Sequence, residues 1–286
     1  MKSDEPSRMA LMVARQRAAH QLLDHGTILD DPYAVRILGE HEDNVLQAIN
    51  CHPLMSLGRL FTATRSRIAE DALSKAVERG FRQVVILGAG LDTFALRNPH
   101  AARIRIFEVD HPATQAWKRQ RLVGAELAPP PWLTFVPVDF ERDDLQQKLS
   151  SAGFQRASVA FFTWLGVVPY LTRDAIDDTL GYIASIPNSE VVFDYAEPTE
   201  TWSEDLRAYA AARVAQLEKI NEHCISRFEP AGVAAVLRSH GFDDMEDINF
   251  QQVVSRFGRD VEGLATGQAG LHVVHAKALP PKASRF

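Results

Sequence analysis

The sequence predicts a doubly wound α/β fold, a seven-stranded and mostly parallel sheet carrying a helical cap. Three observations carry that expectation. Five short apolar runs alternate with helical stretches through the middle of the chain, the first run ends in the glycine loop Gly88-Ala89-Gly90, and about eighty residues of helical pattern precede it. Strands this apolar must be covered on both faces, and alternation with helices is how a parallel sheet achieves that.

Taken in order, residues 1–79 read as helices joined by short loops. Leu11, Ala14, Ala18 and Leu22 recur at helical spacing, Ile28 to Tyr33 look like a turn with a new helix starting at Pro32, and residues 62–79 are helical again, stopped by Gly80. The period then changes to that of strands at residues 84–87, 104–109, 133–138, 158–162 and 190–195, with helices at 112–127, 143–152 and 173–186 between them. The tail offers helices at 203–222 and 230–240. Two weaker strands, 246–253 and 271–278, are suited to an antiparallel pair at one sheet edge. With no internal repeat and no Gly/Ser-rich linker, residues 1–286 read as one domain: a cap at 1–79, a cofactor-binding core at 80–200, and lid helices with C-terminal strands at 201–286.

Composition narrows the function. The 286 residues are 46% hydrophobic and 24% charged, a globular balance rather than a disordered one. Lys+Arg total 31 against 37 Asp+Glu, a formal charge of −6, which disfavours a phosphate-neutralising nucleic-acid binder; the longest basic cluster is the short run from Lys118 to Arg121. The two cysteines, Cys51 and Cys224, lie far apart, so neither a disulfide framework nor a zinc site is expected, and a reducing cytoplasm fits. No apolar stretch approaches the ~18–20 residues of a membrane span, and no targeting segment is visible. The expectation is a cytoplasmic protein without membrane, nucleic-acid or metal partners.

Chemistry concentrates after the first strand. In open α/β sheets ligands bind beyond the carboxyl ends of the strands, and glycines there let the backbone approach a ligand through a sharp turn. Asp110 follows Gly88 by 22 residues at the end of the second strand, where a carboxylate can accept both hydroxyls of a ribose. The plainer role for Asp110 is a helix cap before Pro112. A dinucleotide fingerprint needs a small residue where this chain has Thr93, and no P-loop pattern exists. A nucleoside without a pyrophosphate remains, with S-adenosylmethionine the obvious one. Asp139 and Phe140, just past the third strand, offer an adenine a carboxylate and an aromatic face; the plainer role of Asp139 is a loop cap.

At these residues the sequence resembles the leucine carboxyl methyltransferase family, which includes polyketide O-methyltransferases of the tetracenomycin type. The resemblance rests on Gln83 to Thr93, on Phe107 to Gln115 with Lys118, on the element from Ile28 to Ala34, on Arg65-Ser66-Arg67 with Asp71, and on Phe161 to Leu171. It implies an S-adenosyl-L-methionine-dependent methyltransferase with a Rossmann-like seven-stranded sheet whose last strand is antiparallel. By similarity Arg65 would hold the methionine carboxylate, with Arg67 as its competitor. Gly88, Ala89 and Gly90 would line the cofactor, Asp110 would bind the ribose, and Asp139 and Phe140 would flank the adenine, with Trp164 nearby. Two departures matter: Leu165 stands where protein-directed members carry Glu, and Phe94 where many members carry Arg. Both point away from a protein carboxylate and toward a small-molecule acceptor.

Methyl transfer is an in-line displacement from an activated sulfonium, so the protein must mainly align the acceptor, exclude water and, for a hydroxyl, remove a proton. Trp164, Tyr170 and Tyr195 sit near the carboxyl ends of strands, and Tyr195 is the candidate proton acceptor or orienter. His272 and His275, three apart on one strand, point to opposite faces and cannot share a site. The cap helices and residues 197–222 would form a lid. Small-molecule O-methylation of a carboxylate or hydroxyl leads, against protein carboxyl methylation, a non-catalytic cofactor-binding protein, and nicotinamide chemistry as an outside alternative. Whether the chain forms a homodimer stays open.

Overall fold

A computed structural model describes residues 6–49, 55–140, 142–219, 223–257 and 270–278. Four helices open the chain: α1 (Arg8–Asp24), α2 (Ala34–Leu38), α3 (Glu42–Ile49) and α4 (Met55–Glu78). The alternating core follows as β1 (Gln83–Leu87), α5 (Phe94–Arg97), β2 (Arg105–Asp110), α6 (Pro112–Gly124), β3 (Leu133–Pro137), α7 (Leu145–Ser151), β4 (Ala160–Trp164), α8 (Arg173–Ala184) and β5 (Glu190–Ala196). The chain continues through α9 (Glu204–Lys219), α10 (Pro230–Ser239), β6 (Phe242–Asn249), α11 (Phe250–Ser255) and β7 (Leu271–Ala278).

The seven strands form one sheet in the order β3-β2-β1-β4-β5-β7-β6. β1 through β5 pair in parallel, while β7 runs antiparallel to both of its neighbours. The order reverses between β1 and β4, and that switch point is where an open sheet leaves a crevice for a ligand. Successive side chains of a strand face opposite sides, and each side has its own core. Val84, Ile86, Phe161 and Val192 pack against Phe61, Leu73 and Val77 of α4. Val85, Leu87, Phe162 and Phe193 pack against Ile176 and Leu180 of α8 and Leu237 of α10.

Several expected boundaries move. Pro32 lies in a turn whose Asp31 carboxylate accepts the Tyr33 N–H at 3.2 Å, so α2 starts at Ala34. β4 extends to Trp164 instead of stopping at Phe162. The expected strand at 246–253 begins earlier, at Phe242, and ends at Asn249, because Phe250 and Val253 turn inward as a helix against α4. The missed half of β6 is Phe242-Asp243-Asp244-Met245, whose two aspartates have poor strand propensity but suit an exposed edge by discouraging further pairing. Cys51, residues 220–222 of the expected lid helix and residues 258–269 lie outside the described residues. Among those described, no helix is long and apolar enough to cross a membrane, and no cluster of residues is arranged to hold a metal.

The cap is tied to the sheet by buried charge. Asp31 is fully buried, and one of its oxygens accepts the Thr93 hydroxyl at 2.6 Å. Arg17 of α1 lies 3.4 Å from Asp31 and donates to Asp92 at 3.3 Å and to the Leu91 carbonyl. Arg97 of α5 approaches Asp31 at 3.7 Å and grips Glu70 of α4 with both terminal nitrogens. A second clamp joins α1 to α4, with Asp24 2.9 Å from His20 and 2.8 Å from Arg59.

Removing one partner of a buried charge network leaves the others unpaired, a loss of about 3–5 kcal/mol. Asp31→Ala is therefore expected to destabilise the protein on that scale in urea unfolding. Arg67→Ala, which breaks the exposed pair with Asp71 and a 3.3 Å bond to the Ile28 carbonyl, should cost less, about 1 kcal/mol.

Candidate active site at the sheet switch point

The turn after β1 is built by the residues that hold it. The N–H groups of Gly88 and Ala89 donate to the Val109 carbonyl at 2.8 and 3.1 Å, and the Gly90 N–H donates to the Asp110 carboxylate. Gly88 and Gly90 adopt φ of +67° and +50°, the left-handed region that glycine enters without penalty. A Cβ on Gly88 would stand 2.3 Å from a methyl of Val167, in the loop after β4. The glycine is thus required both by the backbone angle and by the close approach of the neighbouring loop.

Beside this turn lies a groove of about 440 Å³, within the size range of small-molecule sites. Its walls include Gly88, Ala89 and Gly90, Asp110, Asp139 and Phe140, and Arg65. Seven of the eight candidate cofactor residues therefore meet on one cavity, drawn from α4 and the ends of three strands. The geometry also separates the two arginines: Arg65 is buried on the groove wall, whereas Arg67 is half exposed and paired with Asp71 at 2.8 Å.

The plainer role of Asp110, the helix cap, falls to another side chain. His111 caps α6, its ring nitrogen accepting the Ala113 N–H at 3.2 Å, and Asp110 instead accepts the His111 N–H at 2.7 Å. Asp143 accepts the Asp139 N–H, and Asp144 caps α7. The Asp110 carboxylate sits in the groove with its pKa above the ordinary value. Burial raises it, and the N–H groups of Gly90 and His111 only partly oppose that rise.

Two candidates are placed elsewhere. Trp164 is fully buried and packs on Phe193, 6.1 Å between ring centroids, on the α8 side of the sheet. The groove is lined instead by its neighbours Thr163 and Leu165. Tyr195, the candidate proton acceptor, is likewise buried away from the groove, donating to Asp247 at 2.7 Å and stacking on His272 at 4.7 Å. Burial and then the Asp247 carboxylate hold its hydroxyl far above the ordinary range, the opposite of what a base requires. His272 and His275 do point apart, His272 toward Asp247 and Glu197, His275 toward Glu190.

The adjacent position on β5 carries the residue that sequence reasoning missed. Asp194 is buried, binds Arg65 at 2.8 Å and accepts the Gly166 N–H with its other oxygen. Its signal was an acid inside the apolar run Val191-Val192-Phe193-Asp194-Tyr195. Arg65, Asp194 and Gly166 also line a second cavity, a partly open chamber of about 110 Å³. Leu57 and Phe61 of α4 form one side of it, and Trp202 with Leu206 and Ala210 of α9 forms another. Met9, Val13, Arg65, Gly166 and Tyr170 belong to both cavities, so groove and chamber share a wall. Cap helices and the described part of the expected lid both contribute to the chamber.

A glycine turn at the switch point, an acid ending β2 and a reversed seventh strand define a nucleoside-binding α/β protein of methyltransferase architecture. The chain belongs to the leucine carboxyl methyltransferase family, whose model matches residues 10–184, and is a methyltransferase by that membership. It is 30% identical over 302 residues to YktD of Bacillus subtilis (strain 168), across 96% of this chain and 99% of that protein, which carries the provisional name S-adenosyl-L-methionine-dependent methyltransferase. A Mycolicibacterium smegmatis protein with the same provisional name is 28% identical over 232 residues, 78% of this chain and 73% of its own. Among solved structures, the CurJ carbon methyltransferase shares the fold at a TM-score of 0.50 and 18% identity, covering 95% of this chain and 67% of its own. A DUF574 family protein from Streptomyces avermitilis does so at 0.51 and 15%, covering 92% and 96%.

Gly88→Ala tests the turn. The left-handed angle alone costs about 1–2 kcal/mol for a residue with a Cβ, and the clash with Val167 adds to it. Thermal unfolding should show a lowered Tm, and adding Val167→Ala should recover the steric part and leave the angular part.

Proposed function

We propose that the protein methylates an oxygen of a small molecule, with the groove holding the methyl donor and the chamber the acceptor. S-adenosyl-L-methionine is the donor, and it brings an activated sulfonium methyl group. The residues present fit it: a half-buried carboxylate, Asp110, for ribose hydroxyls, the ring of Phe140 for a base, and the buried Arg65 guanidinium for a carboxylate. Arg65 is held in place by Asp194, and its Nε has no hydrogen-bond partner among the described residues. Leu165 lines the groove as an apolar contact.

The observation that carries the reading is the mostly apolar chamber against the groove. Its mostly apolar walls suit the hydrocarbon part of an acceptor, and its 110 Å³ suits a compact group, since a cavity of about 150 Å³ takes a benzene ring. Charge also bears on the acceptor. Asp194, the carboxylate on the chamber wall, already has both oxygens engaged, by Arg65 and by the Gly166 N–H. A hydroxyl acceptor would need a free base, whereas a carboxylate arrives ionised and needs none, so the geometry favours the carboxylate.

Methyl-labelled donor incubated with a cell extract tests the reading: label in small metabolites supports it, and label confined to protein overturns it. Ala210→Phe, which fills the chamber, should abolish label transfer while calorimetry shows unchanged affinity for S-adenosylhomocysteine. Asp110→Ala should weaken that affinity by about tenfold or more, the scale of a hydrogen bond to a charged group. Because Asp110 binds as the ionised form and its pKa is raised, wild-type affinity should fall on acidification at a higher pH than that of an ordinary carboxylate site would. The Asp110→Ala protein should lack that fall.

A further inference from the structure

His272 lies between two carboxylates at the ligand end of the sheet. Its Nδ1 is 2.9 Å from Asp247 of β6, and its Nε2 is 2.6 Å from Glu197, the residue following β5. A neutral imidazole has one N–H and one lone pair, so it can donate to only one carboxylate; two such contacts require the imidazolium. The remaining oxygens are also engaged, Asp247 by the Tyr195 hydroxyl at 2.7 Å and Glu197 by the Thr201 hydroxyl at 2.9 Å. The charged and titratable groups facing His272 are thus Asp247 from β6, Glu197 and Tyr195 from β5 and its end, and Arg227 through Glu197. Burial opposes the charge on the ring, but Asp247 and Glu197 outweigh it and raise the pKa above the ordinary value.

Glu197 is where the lid begins. Its N–H donates to the Gly270 carbonyl at 2.7 Å, and its own carbonyl accepts from Arg227 at 3.2 Å. Five residues on, Trp202 forms a wall of the chamber and leads into α9. The indole lies so close to Gly270 that a Cβ there would stand 2.3 Å from its Nε1, and Arg227 covers the ring at 6.0 Å. Leu271, next to His272, lines the same chamber.

We propose that the His272 imidazolium, by bridging Glu197 and Asp247, is a positioning residue that latches the Trp202 wall and the start of α9 over the acceptor chamber. The role of that chamber rests on the function proposed above. When the ring loses its proton, one of the two carboxylates loses its donor. The Glu197 contact joins the lid to the sheet, while Asp247 keeps the Tyr195 hydroxyl. The latch is therefore present below the raised pKa of His272 and is lost as pH rises through it.

Backbone hydrogen exchange on the whole protein between pH 6 and pH 10, corrected for the base-catalysed intrinsic rate, reads the latch without an acceptor. The amides of Glu197 and Trp202 and those of α9 should exchange about tenfold faster above the titration than below it, the scale of one charge-assisted hydrogen bond, while β1 amides stay unchanged. In His272→Gln the lid amides should already exchange fast and show no such step; if that variant does not fold, Glu197→Gln should shift the step to lower pH. The imidazole resonance missing from the His272→Gln spectrum reports the titration directly. The same lid profile in wild type and variant, or a ring that titrates at or below the ordinary histidine value, overturns the proposal. Failure of the chamber assignment is read separately, by label transfer in Ala210→Phe, which leaves His272 untouched.

Discussion

The buried carboxylate of Asp31 is the constraint on which the site depends. It stands between Arg17 of the cap and Arg97 beside the sheet, and it receives the hydroxyl of Thr93 in the turn after β1. The glycine turn cannot hold its own shape by side-chain packing, because its glycines have none. Its position is set from outside, by the Val109 carbonyl on one side and by Arg17, which reaches Leu91 and Asp92, on the other. Burying charges is costly unless each is paired, so the network tolerates only one arrangement of cap against turn. The cap is therefore part of the groove: Met9, Ala10 and Val13 of α1 roof it, and a Cβ on Gly90 would meet the Ala10 methyl at 3.0 Å.

This explains a residue that looks anomalous as sequence. Thr93 stands where a dinucleotide fingerprint needs a small residue, and read alone it only argues against a pyrophosphate. In the fold it is fully buried with its hydroxyl on Asp31, so the same position serves to dock the cap. The element from Ile28 to Ala34 and the glycine turn, sixty residues apart in the chain, are two halves of one contact.

The class of fold, the five parallel strands and the seven candidate residues that meet on the groove were legible because each leaves a local mark: a period, a glycine pair, an acid at a strand end. What was not legible was parity. Trp164 and Tyr195 were chosen for their height along the sheet, at the carboxyl ends of β4 and β5, yet side chains alternate faces residue by residue. On β4 the groove receives Thr163 and Leu165, and on β5 the chamber receives Asp194 and Ala196, so the large aromatics belong to the opposite core. Both faces of a doubly covered sheet are apolar, so hydrophobicity cannot reveal which face a given residue takes. An ionisable residue breaks the tie. Asp194 has no place in a dry core without a partner, and the partner, Arg65, comes from a helix 129 residues away in sequence.

The reversed strand completes the site in a way a parallel strand could not. In a parallel sheet only carboxyl ends reach the ligand side, each continuing into a loop and helix. β7 runs the other way, so its amino end arrives there, pairing Leu271 with Ala196 and His272 with Tyr195. Entering from that side, Gly270 supplies the carbonyl that holds Glu197 and the space that admits the Trp202 indole, while Leu271 lines the chamber. The chamber thus draws on the start of the last strand, the end of the fifth and the cap helix α4, and the antiparallel course of β7 brings its amino end to that side. Its walls are consequently set by long-range register, where strand pairing and buried charge decide together which side chains face inward.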